Sequence, residues 1–125
     1  MPTDENLSIE RREGKTPDVL IFKLSGPITT RTLFDLQADL RAVPDGAVTI
    51  LDMTEVPYLD SGGIGVVINH YVHGQKTGGK LIVAGVNSRA LELFKLTKVD
   101  TLILMTGDME EAERMAVWKR LNPGA

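Results

Sequence analysis

The segment Asp60-Ser61-Gly62-Gly63-Ile64-Gly65 concentrates the residue types best able to do chemistry in this chain of 125 residues. Ser61 brings a hydroxyl and Asp60 a carboxylate. Gly62 and Gly63 leave the space beside the hydroxyl free of side chains, open to another protein's active site. Behind them Ile64, Val67, Ile68 and Tyr71 recur at helical spacing, which predicts a helix from Ser61 to about Thr77. A helix start presents unpaired N–H groups and the positive end of the helix dipole, so it accommodates a phosphate. Phosphate on Ser61 would add about −1.5 to −2 charges at pH 7, directly beside the Asp60 carboxylate. Two adjacent anions suit repelling a partner better than tightening a fold. The residues alone leave a second reading open, in which Asp60 or Ser61 only caps the helix and the glycines only permit close packing.

Other chemistries lack their partners. A Ser-His-Asp hydrolase places its serine within Gly-x-Ser-x-Gly, and Leu59-Asp60-Ser61-Gly62-Gly63 departs from that pattern. Gly63-Ile64-Gly65 lacks the third glycine of a dinucleotide loop and its acidic residue about 20 positions on. No P-loop lysine follows, so no cofactor is expected. His70 and His73 share part of one helix face without a Cys or carboxylate at ligand spacing, so they are expected on a solvated surface and no metal is expected. Thr29, Thr30, Thr54 and Ser88 read first as caps or turn residues, Tyr58 and Trp118 as packing residues.

Composition narrows the class further. The chain has no cysteine, which excludes disulfides, thiolate zinc sites and cysteine nucleophiles. Its net charge is −3 and basic stripes are missing, so direct nucleic-acid binding is not expected. No apolar run approaches the roughly 20 residues needed to cross a bilayer. The start, Met1 to Asn6, is polar and acidic, unlike a signal peptide. A cytoplasmic protein without membrane contact is the expectation.

The elements that must position Ser61 follow from periodicity. Leu7 to Arg12 alternates as a short edge strand. Gly14 to Asp18 has turn composition, and Val19 to Ser25 is a β-run with Leu20, Phe22 and Leu24 on one face. After Gly26-Pro27, Thr29 or Thr30 caps a helix carrying Leu33, Leu36, Leu40 and Val43. Ala47 to Met53 is a strand, the Ser61 helix follows, and Gly78-Gly79 separates it from a strand over Lys80 to Ala84. Ser88 caps a short helix, Thr101 to Met105 is the last strand, and Gly107-Asp108 opens a final helix to about Arg120. The order ββαβαβαβα implies an α/β fold, a mixed and mostly parallel sheet with its helices packed mainly on one face. Lys23, Thr49 and Asp52 interrupt strands that double coverage would make apolar throughout. Three loops then gather beyond the carboxyl ends of the strands: residues 26–30, 54–60 and 85–88.

Val48-Thr49-Ile50-Leu51-Asp52-Met53 through Tyr58-Leu59-Asp60-Ser61-Gly62-Gly63-Ile64-Gly65 resembles the signature of STAS domains, the anti-sigma factor antagonist family. Leu24-Ser25-Gly26, Gly78-Gly79-Lys80-Leu81-Ile82-Val83 and the helix with Leu91, Phe94 and Leu96 match as well. The resemblance covers residues 7 to 118 or so, in the family's element order, and implies a single STAS domain over 1–125. It implies that Ser61 is the serine phosphorylated by an anti-sigma factor that is itself a serine kinase of the histidine-kinase-like ATPase superfamily. The unmodified antagonist binds that kinase and frees the sigma factor; phosphorylation ends the binding, and a phosphatase restores it. Asp60, Ser61, Gly62 and Gly63, with Thr54, Thr29 and Ser88 from the three loops, form the expected partner surface, and the protein is not expected to be an enzyme. One departure is Gly62, where many members carry a second serine. The same resemblance admits a scaffold or accessory STAS domain that is not phosphorylated, as in stress-signalling assemblies or beside lipid-transport ATPases.

Overall fold

A computed structural model describes residues 6–122. The strands are β1 (Ser8–Glu13), β2 (Val19–Ser25), β3 (Val48–Glu55), β4 (Lys80–Ala84) and β5 (Leu104–Thr106), and the helices are α1 (Leu33–Arg41), α2 (Ser61–Thr77), α3 (Ser88–Leu96) and α4 (Met109–Leu121). The five strands lie side by side in sequence order. β1 runs antiparallel to β2, and β2, β3, β4 and β5 are mutually parallel.

Strands added in sequence order through right-handed crossovers must place α1, α2 and α3 on one face. That face carries the larger core: Leu20, Phe22 and Leu24 of β2, Leu51 and Met53 of β3, and Leu81 and Val83 of β4 pack under Leu36, Leu40, Ile64, Val67, Ala90 and Phe94. After β5 the chain turns to the other face. There α4 lays Ala112 and Ala116 over Val19, Ile21, Val48, Ile50, Ile82 and Ala84. Two alanines four residues apart give this helix a smooth stripe for close approach to the sheet. Three helices share one face and the fourth covers part of the other.

Thr49 does not interrupt an exposed surface. It lies in phase with Leu51 and Met53 on the face under α2, fully buried, and its Oγ1 stands 2.9 Å from His70 Nε2. Lys23 and Asp52 point to the opposite face, paired in register near the carboxyl ends of their strands and beyond the apolar patch under α4.

Several boundaries depart from the expected ones for local reasons. α1 begins at Leu33, one turn later than a Thr29 or Thr30 cap implies. The intervening threonines close their own turn instead. Thr32 Oγ1 accepts from the Thr29 N–H at 2.9 Å and donates to the Pro27 carbonyl at 2.8 Å, while Thr29 Oγ1 accepts from the Arg31 N–H at 3.1 Å. α3 is capped by Asn87, whose side chain accepts from the Ala90 N–H at 2.8 Å, and Ser88 is its first helical residue. Asn and Ser are both strong cap formers, and here the earlier one is used. The expected last strand starts late because Val99–Thr101 form a 3-10 turn. It is closed by the Thr101 hydroxyl donating to the Lys98 carbonyl at 2.7 Å and anchored by buried Val99 and Ile103.

His70 likewise leaves the solvated surface expected of it. It is half-buried on α2 against Thr49, and burial, with the nearby His73, pushes its pKa down to about 4 from 6.5. His73 is exposed, 3.9 Å from Asp45. Because the folded state binds the His70 proton less tightly than the unfolded chain, this ring stabilises the fold fully above pH 6.5. That contribution is lost as pH falls from 6.5 to about 4. Allowing for screening of a partly exposed ring, the expected loss is on the order of 2 kcal/mol. Urea midpoints measured across that window should fall for the wild type and stay nearly flat for His70→Gln.

Candidate functional site

Three connections meet beyond the carboxyl ends of β2, β3 and β4, and backbone groups tie them into one platform. The β2–α1 and β3–α2 connections form a short parallel bridge, Ile28 with Leu59. The Ile28 N–H donates to the Tyr58 carbonyl and the Asp60 N–H to the Ile28 carbonyl, each at 3.2 Å. From the β4–α3 side, Asn87 Nδ2 donates to the carbonyls of Val56 and Pro57 at 3.3 and 3.1 Å. The Arg89 guanidinium lies 4.6 Å above the Tyr58 ring centroid, within cation–π range.

Asp60 is the keystone of this platform. It, and not Ser61, caps α2. One carboxylate oxygen accepts from the Gly63 N–H at 3.1 Å and the other accepts from the Thr30 N–H, also at 3.1 Å. Burial works to raise its pKa, but the N–H groups of Gly63, Thr30 and Gly62 outweigh this and hold the carboxyl below the ordinary aspartate range. Asp60 therefore stays ionised at neutral pH and joins the start of α2 to the β2–α1 connection. Removing a cap of this type costs about 1 kcal/mol, and the second bond adds a similar amount. Asp60→Ala should lower the unfolding free energy by about 2 kcal/mol in urea titration, and Asp60→Asn should recover roughly half.

Ser61 occupies the first position of α2 and is exposed. The glycines after it do not simply clear an approach for another protein. A Cβ on Gly62 would stand 2.6 Å from Thr30 Cγ2 and 3.0 Å from Leu33 Cδ2, and one on Gly63 would overlap the Ile28 carbonyl oxygen. Gly63 is glycine because α2 begins hard against the Ile28 backbone, whereas at Gly62 an added Cβ would meet only the ends of the Thr30, Leu33 and Asp60 side chains. Gly65, by contrast, has nothing within 4 Å of where its Cβ would be.

The remaining expected residues spread along the same platform. Thr29 is half-buried inside its own turn. Exposed Thr54 turns its hydroxyl toward Asp52, donating to Oδ1 at 2.6 Å, and packs against Gly85 of the neighbouring connection. Ser88 is exposed at the start of α3. Thus Thr30, Asp60, Gly62 and Gly63 touch one another, and Thr54 and Ser88 lie on the β3–β4 side of the edge. Asn87 and Arg89 were not anticipated. Asn87 sits before a helical apolar stripe, a legible cap signal. Arg89 meets Tyr58 across 31 positions of sequence, with no local signal to announce it.

A mixed, mostly parallel sheet of this order, with a capped Asp-Ser-Gly-Gly helix start at its loop edge, invites comparison with known families. The family described as STAS domain matches residues 13–112. The chain belongs to the STAS family. A relative of this STAS domain, the anti-sigma-B factor antagonist of Listeria monocytogenes, is 32% identical over 100 residues, spanning 78% of this chain and 87% of that protein. The crystal structure of an anti-sigma factor antagonist from Mycobacterium paratuberculosis superposes with a TM-score of 0.78 at 18% identity, over 93% of this chain and 98% of the other. The Bacillus cell fate determinant SpoIIAA in its phosphorylated form gives a TM-score of 0.65 at 14% identity, over 86% and 99%. At such identities the two structures speak for the fold. Among the described residues, no helix of the STAS domain is long and apolar enough to cross a membrane.

Proposed function

We propose that this STAS domain is an anti-sigma factor antagonist that acts by binding, without catalysis of its own. It docks on an anti-sigma factor serine kinase while Ser61 is unmodified, and phosphate on Ser61 releases it; a phosphatase restores the binding form. The single observation that carries this reading is the position of Ser61. It is an exposed hydroxyl on the first residue of α2, next to the capping Asp60, on the edge where three connections converge. The kinase draws on cytoplasmic ATP, and the chain works as one domain in that compartment. The name of the Listeria relative supports the antagonist role, and SpoIIAA shows that a protein of this fold exists in a phosphorylated form.

Phosphorylation should occur at one residue. Incubation with the cognate kinase and ATP, followed by peptide mass spectrometry, should place phosphate on the peptide containing Ser61. Ser61→Ala should incorporate less than about 1% of the wild-type amount, since a methyl group has no nucleophilic oxygen. Wild-type incorporation into Ser61→Ala would sink the assignment.

A further inference from the structure

α2 carries no Asp, Glu, Lys or Arg from Ser61 to Gln75. Each of the other helices is charged: Asp35, Asp39 and Arg41 stand on the nine residues of α1, and Arg89, Glu92 and Lys95 on the nine of α3. Six of the thirteen residues of α4 are charged as well. A helix on the outside of a fold ordinarily turns charges to water, and α2 turns none until Lys76. Its period sets which residues face outward. Ile64 and Val67 are buried in the core, and His70 and His73 line the groove toward α1. Ser61, Gly65, Ile68 and Val72, spaced four, three and four apart, share the outward face. Ser61 is exposed, Gly65 and Ile68 are half-buried, and Val72 is 43% exposed. A single exposed valine is ordinary, but this uncharged stripe is continuous and starts at the Ser61 hydroxyl.

Gly65 is the residue of this stripe that the fold itself does not explain. Of the four glycines in α2, three meet other parts of the chain. A Cβ on Gly62 would press on the Thr30 side chain, one on Gly63 would overlap the Ile28 carbonyl, and one on Gly74 would stand 3.2 Å from the Gly79 carbonyl oxygen. At Gly65 nothing among the described residues lies within 4 Å. Glycine inside a helix is a net cost against alanine, and at Gly65 no contact within the fold offsets it. Bare backbone on an outward face lets a second surface approach closely. Depletion of charge around such a spot is what sets the buried centre of a protein interface apart from the rest of a surface.

Continuity with Ser61 decides the occupant. Gly65 lies about 6 Å along the helix axis from Ser61, and Val72 about 16 Å. A docking patch of ordinary size, roughly 800 Å² on each partner, spans about 30 Å, so one that takes in Ser61 has room to reach Val72. Given the antagonist role proposed above, on which this footprint rests, we infer that the anti-sigma factor kinase docks along the outward face of α2. An uncharged, apolar surface of the kinase sits against Gly65, Ile68 and Val72, so the contact runs three turns of α2 beyond the phosphoacceptor.

Calorimetric titration of the full chain against the kinase, with urea unfolding of the same samples, tests the footprint. Gly65→Ala should weaken kinase binding by at least about fivefold while raising the urea midpoint, so the loss cannot come from damage to the fold. Val72→Glu should weaken binding by at least about tenfold with its midpoint nearly unchanged, because the interface would bury an unpaired charge. Leu121→Glu makes the same kind of change at an exposed residue of α4, which covers the other face of the sheet, and should bind within about threefold of the wild type. Wild-type affinity in either α2 variant, or an equal loss in Leu121→Glu, would overturn the footprint and leave the Ser61 reading standing. A wild type that neither binds the kinase nor is phosphorylated would overturn the antagonist role, and the footprint with it. Sedimentation that finds a wild-type dimer made monomeric by Val72→Glu, with kinase affinity unchanged, would give this face to a second copy of the chain and also overturn the inference.

Discussion

Gly63→Ala should cost the fold about 3 kcal/mol or more, although alanine is the better helix former. The added Cβ would overlap the Ile28 carbonyl oxygen, a backbone atom that also accepts the Asp60 N–H. Relief therefore requires either withdrawing α2 from the β2–α1 connection or breaking that bond. Overpacking of this kind costs typically 1–3 kcal/mol, roughly, and more where backbone must move. The gain in helix propensity, about 1 kcal/mol, offsets only part of it. Gly65 supplies the internal control, because the same substitution two residues on meets open space. Gly65→Ala should raise stability by about 0.5–1 kcal/mol. Urea unfolding of the two variants should therefore give changes of opposite sign, and a stabilised Gly63→Ala would show that α2 does not start in contact with Ile28.

That pair also marks how far the sequence could be read. The ends of β2, α2 and β4 were legible because strong punctuation borders them: Gly26-Pro27 after β2, and Gly78-Gly79 between α2 and β4. The β-α alternation implied a mostly parallel sheet but not its strand order; with the strands in sequence order, right-handed crossovers put α1 to α3 on one face. The position of α4 was less legible. Its buried residues are two alanines, which carry little hydrophobic signal beside the stripes of α1 to α3. At the site, local pattern located Ser61 at the start of α2 but could not divide the work between adjacent cap formers. Asp60 caps ahead of Ser61 and Asn87 ahead of Ser88, shifts of one residue that only hydrogen bonds resolve. The reason for Gly63 lies about 35 positions away, in the Ile28 carbonyl. His70 was misplaced for a similar cause, since its partner Thr49 is a residue of the sheet 21 positions earlier.

Phosphate on Ser61 should reduce affinity for the partner kinase by at least about 100-fold while moving the unfolding free energy by less than about 1 kcal/mol. Two features of the α2 start lead to this asymmetry. The Gly63 and Thr30 N–H groups that would welcome an anion already donate to the two oxygens of Asp60. A phosphate one residue on finds those donors taken and the Asp60 carboxylate beside it, so it gains little from the fold beyond the attraction of the helix dipole. It remains in water on an exposed residue and presents its new charge, next to that of Asp60, to whatever docks there. A kinase surface that buries the neutral serine would have to desolvate this charge without a partner. Burying an unpaired charge at an interface costs about 2–5 kcal/mol, which is the source of the 100-fold figure. Calorimetric titration of the unmodified and the enzymatically phosphorylated protein against the kinase measures the first quantity, and urea unfolding of the same two samples measures the second. Ser61→Ala, which adds no charge, should bind within about threefold of the wild type. If the phosphorylated protein bound as tightly as the unmodified one, charge at Ser61 would not be the switch. If it bound weakly but had also lost several kcal/mol of stability, the switch would act by disrupting the fold and not by repelling the partner.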